Sequence, residues 1–200
     1  GLVIADVCDK GLGAALFMTL IRSLLRSTAN MDSYSHEISQ TTSSEIRLRK
    51  TMTLTNNYIT ATHGKTSMFA TVFFGILDAH TGYLTYINGG HLPPLLVNNL
   101  GVRKILKPTG PAVGVIANTN YGIEKVIIEK GEMLFGYTDG LTDTVNPVGE
   151  YFGAERLAPL LAMRQPLPAL LEQIQHKAGE FSAGAKQTDD ITMLAVRRRE

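Results

Sequence analysis

The chain has 200 residues, of which 44% are hydrophobic, and a formal net charge of +1. This length and composition predict one globular domain over residues 1–200 with a sizeable core. The net charge argues neither for nor against an acidic partner, but no basic block is long enough to predict a nucleic-acid surface. No run of residues is long and apolar enough to predict a membrane span. The single cysteine, Cys8, excludes an internal disulfide framework and favours a reducing, cytoplasmic location.

The first part of the chain predicts a buried strand followed by two helices. Residues 2–5 are all apolar, as in a strand covered on both faces, and apolar residues then recur at helical spacing over 12–28. The polar segment 30–44 is rich in Ser and Thr and predicts a loop. A second helix is expected over 45–61, with Ser44 as its N-cap residue.

The middle of the chain predicts strands joined by turns. Residues 68–89 hold two runs rich in β-branched and aromatic residues around the sequence "DAHTG", which is typical of a hairpin. A weaker hairpin is centred on 99–101, and two further strands flank a turn at 130–131. Helices are expected over 154–162 and 167–181, and "DDITMLAVRR" closes the chain as a last strand.

Strands in hairpin order indicate antiparallel sheets, and the early and late groups of helices can each cover one sheet face. The layered solution is an α+β fold, an antiparallel β-sandwich flanked by helices in the order α-β-β-α. The chain opens directly in apolar, strand-like sequence and does not begin with Met. We therefore expect the fold to be N-terminally truncated, with one or more strands missing.

Four carboxylates lie beside apolar runs that predict strands. Asp6 follows "LVIA", Asp139 follows "MLFGYT", and Asp189 and Asp190 precede "ITMLAV". Burying an unpaired carboxylate is unfavourable, and a divalent cation would relieve the repulsion if three such strand ends meet. Oxygen ligands without a Cys or His cluster favour Mg²⁺ or Mn²⁺ over Zn²⁺. Each position also has a structural interpretation: Asp6 near a helix N-cap, "TDG" as a turn, and "TDD" as a polar loop end.

Six segments carry a family resemblance in order along nearly the whole chain: "ADVCDKGLGAALFM", "FATVFFGILD", "YINGGHLPPLLV", "GPAVGV", "LFGYTDGLTD" and "TDDITMLAV". Together they resemble the bacterial PP2C-like (PPM) serine/threonine phosphatases, in the branch of the stage II sporulation and sigma-regulator phosphatases. The resemblance implies a PP2C-like fold and hydrolysis of phosphoserine or phosphothreonine on a signalling protein. By analogy, that phosphoprotein would be an anti-sigma-factor antagonist.

The resemblance also implies a site with two Mn²⁺ or Mg²⁺ ions. Asp6 would bridge both ions, the backbone carbonyl of Val7 would be a further ligand, and Asp139 and Asp189 would complete the set. The sequence leaves open whether Asp190 is a ligand or a neighbour of the ligands. Because a water activated by the ions would attack phosphorus, no side-chain nucleophile is required.

Four other residues near these motifs have both a structural and a functional interpretation. Cys8 lacks the C-x5-R loop of thiol phosphatases, which favours a structural role. His91 could act as a general acid, although a structural role in "GGHLPPLL" is favoured. Asp9 and Lys10 fit a solvated turn; the alternatives are extra charge around the site for Asp9 and attraction of the phosphoprotein for Lys10. The segment "GPAVGV" resembles a loop near the active-site edge.

The family usually carries a "GGDFYD"-like segment upstream of the first motif, and this chain starts after that place. Weak metal binding or inactivity of the truncated chain is therefore expected. A sensor or receiver domain is expected before it in the longer protein, and a homodimer is compatible with the sequence. Two alternatives stay open. One is a catalytically silent phosphatase-like regulatory binding module. The other is a structural domain whose carboxylates only cap turns, with Asp6, Asp139 and Asp189 more than about 10 Å apart.

Overall fold

The computed structural model describes residues 1–30, 43–187 and 189–199. Its elements in chain order are β1 (Leu2–Val7), α1 (Leu12–Asn30), α2 (Ser44–His63), a 3₁₀ turn (Gly64–Thr66), β2 (Ala70–Leu77), β3 (Tyr83–Gly89), β4 (Leu95–Asn98), β5 (Gly101–Ile105), β6 (Glu124–Ile127), β7 (Met133–Tyr137), α3 (Asp139–Thr142), α4 (Gly153–Leu161), α5 (Leu167–Ser182) and β8 (Met193–Arg197). Residue contacts divide the chain into two compact units. The N-terminal unit comprises Gly1–His91 and Pro108–Ile127, and the C-terminal unit comprises Leu92–Lys107 and Ile128–Glu200.

The N-terminal unit contains a four-stranded antiparallel sheet in the order β1-β2-β3-β6. Its core is formed by the apolar faces of α1 and α2 together with side chains of β2 and β3. Ile21, Leu48 and Ile59 of these helices have no exposed surface. Helical spacing explains this burial, because residues three or four positions apart share one face of a helix. Burial of this face drives the packing of both helices in this unit.

The C-terminal unit contains a second four-stranded antiparallel sheet, in the order β5-β4-β7-β8. All five residues of β7 are buried. Apolar side chains of α4 and α5, among them Leu157, Leu170 and Ile174, form the core with β7 residues such as Phe135. The predicted fold class of antiparallel sheets and helices is confirmed. The prediction of one domain over residues 1–200 stays a prediction.

Three details differ from the expectations or limit them. Helix α2 begins at Ser44, so the N-cap is Ser43, whose hydroxyl accepts a hydrogen bond from the Ile46 amide at 3.4 Å. The prediction of Ser44 as the cap was wrong by one residue, because a cap precedes the first helical residue. The strands that flank the turn at 130–131 belong to different sheets, since β6 pairs with β3 and β7 pairs with β4 and β8. Residues 31–42 of the predicted loop lie outside the described residues.

No helix is long and apolar enough to cross a bilayer among the residues that the structure describes.

Candidate metal centre

Asp6 lies near the end of β1 in the N-terminal unit and is half-buried. It faces Thr71 of β2 in the antiparallel register. The Thr71 hydroxyl lies 3.4 Å from the Asp6 carbonyl oxygen and 2.9 Å from Nδ1 of His91. The backbone of Asp6 is therefore connected to a buried histidine through one hydroxyl group. This local position is set by regular strand pairing, and Val7 ends the same strand.

The turn after β1 separates Asp6 from the first helix. Asp9 and Gly11 both have positive φ angles, 75° and 86°, and the Asp9 carboxylate accepts a hydrogen bond from the Lys10 amide at 2.8 Å. Because α1 begins only at Leu12, Asp6 does not cap it, and that structural interpretation is wrong. The contact between Asp9 and Lys10 supports the turn interpretation of both residues.

Cys8 and His91 both have well-defined structural contacts in the N-terminal unit. The Cys8 sulfur accepts a hydrogen bond from the Phe69 amide at 3.1 Å. His91 is only 1% exposed, and its backbone amide donates a hydrogen bond to Oδ1 of Asn88 at 2.8 Å. A ring with so little exposure has no access to a protein substrate, which supports the structural interpretation of His91.

In the C-terminal unit, Asp139 directly follows Thr138 after β7 and is the first residue of the single-turn helix α3. Three contacts join the backbone around it to the segment before β8. The Thr138 hydroxyl donates to the Asp190 carbonyl at 2.8 Å and accepts from the Thr192 amide at 2.9 Å, and the Thr138 amide donates to the Thr192 carbonyl at 3.1 Å. The structure therefore brings the segments of Asp139 and Asp189–Asp190 together.

Gly140 permits this close approach. A Cβ atom at this position would lie 2.5 Å from the Asp190 carbonyl oxygen and 3.1 Å from the carbonyl carbon of Asp189. Real Cβ atoms do not approach backbone atoms to 2.5 Å, so only glycine fits without a backbone shift. Asp139 and Asp190 are exposed and Asp189 is half-buried, so all three residues lie at the surface of this unit.

The types of donor fit a hard divalent cation, because Asp6, Asp139, Asp189 and Asp190 offer carboxylate oxygens. The Asp189 carboxylate accepts a hydrogen bond from the Asp190 amide at 2.8 Å, which orients one of its oxygens. Within 1–30, 43–187 and 189–199, however, no three His, Cys, Asp or Glu side chains form a group that could hold a metal ion. Convergence of Asp6 with the other carboxylates thus stays a prediction.

Sequence reasoning missed Thr71, Thr138 and Asn56, whose contacts hold the motif segments. Asn56 of α2 is fully buried and holds the "GPAVGV" loop. Its Oδ1 accepts from the Gly114 amide at 2.9 Å and from the Tyr121 hydroxyl at 3.3 Å, and its Nδ2 donates to the Ile116 carbonyl at 2.8 Å. Burial raises the pKa of the Tyr121 phenol, so that hydroxyl keeps its proton.

Comparison with known families identifies the chain. The model of the stage II sporulation protein E (SpoIIE) family matches residues 1–199. The chain belongs to this family. The match confirms the resemblance to bacterial PP2C-like phosphatases of the sporulation and sigma-regulator branch, which was based on the six motifs.

Two curated relatives of this SpoIIE-family chain are longer than the region that it matches. It is 42% identical to protein IcfG of Synechocystis sp., over 98% of this chain and 33% of the relative. It is 27% identical to phosphoserine phosphatase RsbU of Bacillus subtilis, over 99% of this chain and 55% of the relative. The chain thus spans about a third to a half of the curated relatives it matches.

Solved structures support the fold. The SiaA-PP2C domain of Pseudomonas aeruginosa has a TM-score of 0.79 at 20% identity, covering 98% of this chain and 74% of that chain. RsbX, solved in complex with magnesium, has a TM-score of 0.59 at 16% identity, covering 96% of this chain and 78% of that chain. These similarities show a PP2C fold.

Proposed function

We propose that the chain is the catalytic domain of a metal-dependent protein serine/threonine phosphatase. The observation that carries the proposal is the set of contacts that Thr138 and Gly140 make with residues 189–192, because they hold two of the motif's acidic segments side by side. Membership of the SpoIIE family supports the same reading.

We infer that Asp6, the Val7 carbonyl, Asp139 and Asp189 are ligands of two Mn²⁺ or Mg²⁺ ions, with Asp190 as a further ligand or a neighbour. When bound, such ions activate a water for attack on phosphorus and neutralise the phosphoryl oxygens. The magnesium that accompanies the structural neighbour RsbX supports a divalent ion in this fold.

The protein's own residues would act by positioning. The Thr138 hydroxyl bonds to the Asp190 carbonyl and to the Thr192 amide, and these bonds would fix the strand end that carries the Asp139 carboxylate. Thr71 would do the same for the backbone of Asp6. Neither Cys8 nor His91 has a chemical role in this proposal, since the Cys8 sulfur bonds to the Phe69 amide and His91 is buried.

The proposed substrate is a phosphoserine or phosphothreonine on a signalling protein, with an anti-sigma-factor antagonist as the specific candidate. The name of the relative RsbU, a phosphoserine phosphatase, supports this class. The relatives extend well beyond the matched region, which supports an additional regulatory domain in the whole protein. A cytoplasmic location and a homodimer stay predictions.

A catalytically silent binding module is the second candidate. Its specific support is that no three metal-ligating side chains come together among the described residues. On this reading the chain would bind the phosphoprotein without hydrolysing it.

A metal titration separates the two candidates. The purified protein is assayed with a phosphoserine peptide in Mn²⁺, in Mg²⁺ and in EDTA, and Mn²⁺ binding is measured by calorimetry. We expect metal-dependent release of phosphate, and a loss of at least about 100-fold in kcat for Asp139→Asn. Asp78→Asn is the matched control, because it makes the same change in the turn between β2 and β3. A folded protein that binds the peptide but releases no phosphate in any metal would establish the binding module instead.

A further inference from the structure

The start of β2 carries an exposed aromatic side chain close to Asp6. Phe69 directly precedes the first residue of β2 and is 36% exposed. Its carbonyl accepts a hydrogen bond from the Cys8 amide at 3.1 Å, and Cys8 is two positions beyond Asp6. The pairing of β1 with β2 therefore continues one step past Val7, so that Phe69 lies opposite Cys8.

Strand alternation places the side chains of Phe69 and Asp6 on the same face of the sheet. Successive residues of a strand point to opposite faces, and residues directly opposite each other in an antiparallel pair share a face. Met68 and Ala70, the two neighbours of Phe69, both pack into the core that α1 and α2 form. Phe69 therefore points to the other face, which is also the face of Asp6, since Asp6 is opposite Thr71. Two residue steps along a strand span about 7 Å.

The loop that begins at Val113 brings two more exposed apolar residues to the same place. Val113 exchanges two backbone hydrogen bonds with the first residue of β2, at 2.9 and 2.8 Å. A Cβ atom on Gly114 would lie 3.5 Å from the Cα atom of Phe69, so the two backbones are adjacent. The next two residues, Val115 and Ile116, are 53% and 55% exposed. Phe69, Val115 and Ile116 together are called the apolar rim below.

The backbone of the apolar rim is fixed by contacts with the protein interior. The buried Asn56 side chain donates to the Ile116 carbonyl at 2.8 Å and accepts from the Gly114 amide at 2.9 Å. Exposed apolar residues that are grouped on a surface mark sites of interaction. A fixed backbone also lowers the conformational entropy that is lost when a partner binds. The apolar rim is therefore suited to contact an apolar side chain of a molecule that reaches Asp6.

We propose that the apolar rim selects the substrate of the phosphatase, by contacting an apolar side chain two positions from the phosphorylated residue. This rests on the proposed function, because ions bound at Asp6 would fix the position of the phosphate. An extended polypeptide advances about 3.3–3.6 Å per residue, so a side chain two positions away lies about 7 Å further along. The two steps between the positions of Asp6 and Phe69 span the same distance. Phe69 is thus a specificity-determining residue that acts on the polypeptide next to the phosphate.

Two synthetic phosphoserine peptides test the proposal. They share one sequence, except that the residues two positions before and after the phosphoserine are leucine in one and alanine in the other. Their charges are equal, so Asp9 and Lys10 of the neighbouring turn contribute equally to both. With Mn²⁺ we expect kcat/KM to be about tenfold higher for the leucine peptide, and Phe69→Ala to reduce this preference to below about threefold. The alanine peptide should change by less than about twofold, and Mn²⁺ affinity, measured by calorimetry, should not change.

Tyr83→Ala is the matched control, because Tyr83 is an exposed aromatic residue of the same sheet. Its neighbour Leu84 pairs with Leu77, which lies seven residue steps from the start of β2, or about 23 Å. The control should keep the full preference for the leucine peptide. An equal loss in both variants would overturn the proposal, as would a preference that Phe69→Ala retains or that the unsubstituted protein does not show.

A binding measurement separates the apolar rim from the proposed function. The same peptides carry a fluorescent label, and their binding to the protein is followed by anisotropy. If neither peptide is hydrolysed, the phosphatase activity fails, while tighter binding of the leucine peptide that is lost in Phe69→Ala would still support the rim. Equal binding of the two peptides, or none, would overturn it. If Phe69→Ala unfolds, the double variant Val115→Ser, Ile116→Ser replaces it, and a retained preference in that folded variant would equally overturn the rim.

Discussion

The two units differ in how they hold the acidic residues of the family motifs. In the N-terminal unit, Asp6 lies in a regular strand pair. The polar anchor of this unit, meaning the side chain whose hydrogen bonds hold a motif segment in place, is Asn56, which joins α2 to the loop of Gly114 and Ile116. In the C-terminal unit, Asp139 lies just outside the ladder, and its anchor is the adjacent residue, Thr138. Changes at the first anchor should therefore affect mainly stability, and changes at the second should affect mainly metal binding and turnover.

Asn56→Ala should have the largest effect on stability. The substitution leaves the Gly114 amide and the Ile116 carbonyl without their partner, and it opens space in a fully buried position. We expect a loss of about 3 kcal/mol in the free energy of unfolding, measured by urea denaturation.

Asn57→Ala is the matched control, because the neighbouring amide makes its other hydrogen bonds with Asn118 at exposed positions and shares with Asn56 only one long contact of 3.3 Å. Its loss should stay below about 1 kcal/mol. Similar losses in the two variants would mean that the buried amide does not carry the stability of this loop.

Gly140→Ala should have the largest effect on function relative to stability. The new Cβ atom would force the backbone of Asp139 away from that of Asp190, because it would lie 2.5 Å from a carbonyl oxygen. A displacement near 1 Å at a catalytic group lowers turnover by about 100-fold. The measurement is kcat with the phosphoserine peptide at saturating Mn²⁺.

Gly179→Ala provides the control for this change. Gly179 lies within α5, and no atom lies within 4 Å of the position that its Cβ would take. Alanine should therefore raise stability by about 0.5–1 kcal/mol and leave turnover unchanged. Normal turnover in the Gly140 variant would contradict the assigned close contact.

Thr138→Val tests the anchor with a smaller change. Valine keeps the volume of threonine but leaves the Thr192 amide and the Asp190 carbonyl without the hydroxyl. We expect a loss of about 1–2 kcal/mol in stability and a weaker affinity for Mn²⁺, measured by calorimetry. Thr19→Val, which removes an exposed hydroxyl bonded to its own helix, is the control. Unchanged Mn²⁺ affinity would remove Thr138 from the positioning role.

Much of the fold follows from the sequence, because apolar periodicity is a local property. The spacing in α1 and the hairpin around "DAHTG" reflect helix and strand periods that the chain carries in itself. The turn at 130–131 also occurs, with Gly131 at a φ of 79°. The membership of its flanking strands in two different sheets could not be predicted from the turn, since pairing partners are set by contacts that are remote along the chain.

The motif residues were predicted from family resemblance, and the contacts that hold them were not. Nothing in the spacing of Thr138 and Asp190 shows that the Thr138 hydroxyl bonds to the Asp190 carbonyl, because 52 positions separate them. Gly140 offered a usable signal, since a glycine directly after a strand-end acid often marks a close backbone approach. Asn56 offered none, because an asparagine within a helical pattern is typical of an exposed position.

The smallest expected effect concerns the turn between β2 and β3, which lies away from both anchors. The pKa of the Asp78 carboxyl is lowered mainly by the hydrogen bond from the Thr81 side chain, and further by the His80 and Thr81 amides. A lowered pKa in the folded state means that the carboxylate stabilises the fold above its unfolded pKa of 3.8, and that this contribution is lost as the pH falls through the folded value.

Asp78→Ala should therefore lower the melting temperature slightly at pH 7, and the difference from the unsubstituted protein should shrink below about pH 4. Because the carboxylate is exposed, the difference should also decrease in high salt. A difference in melting temperature that is constant between pH 3 and pH 7 would show that ionisation of the Asp78 carboxyl does not stabilise the turn.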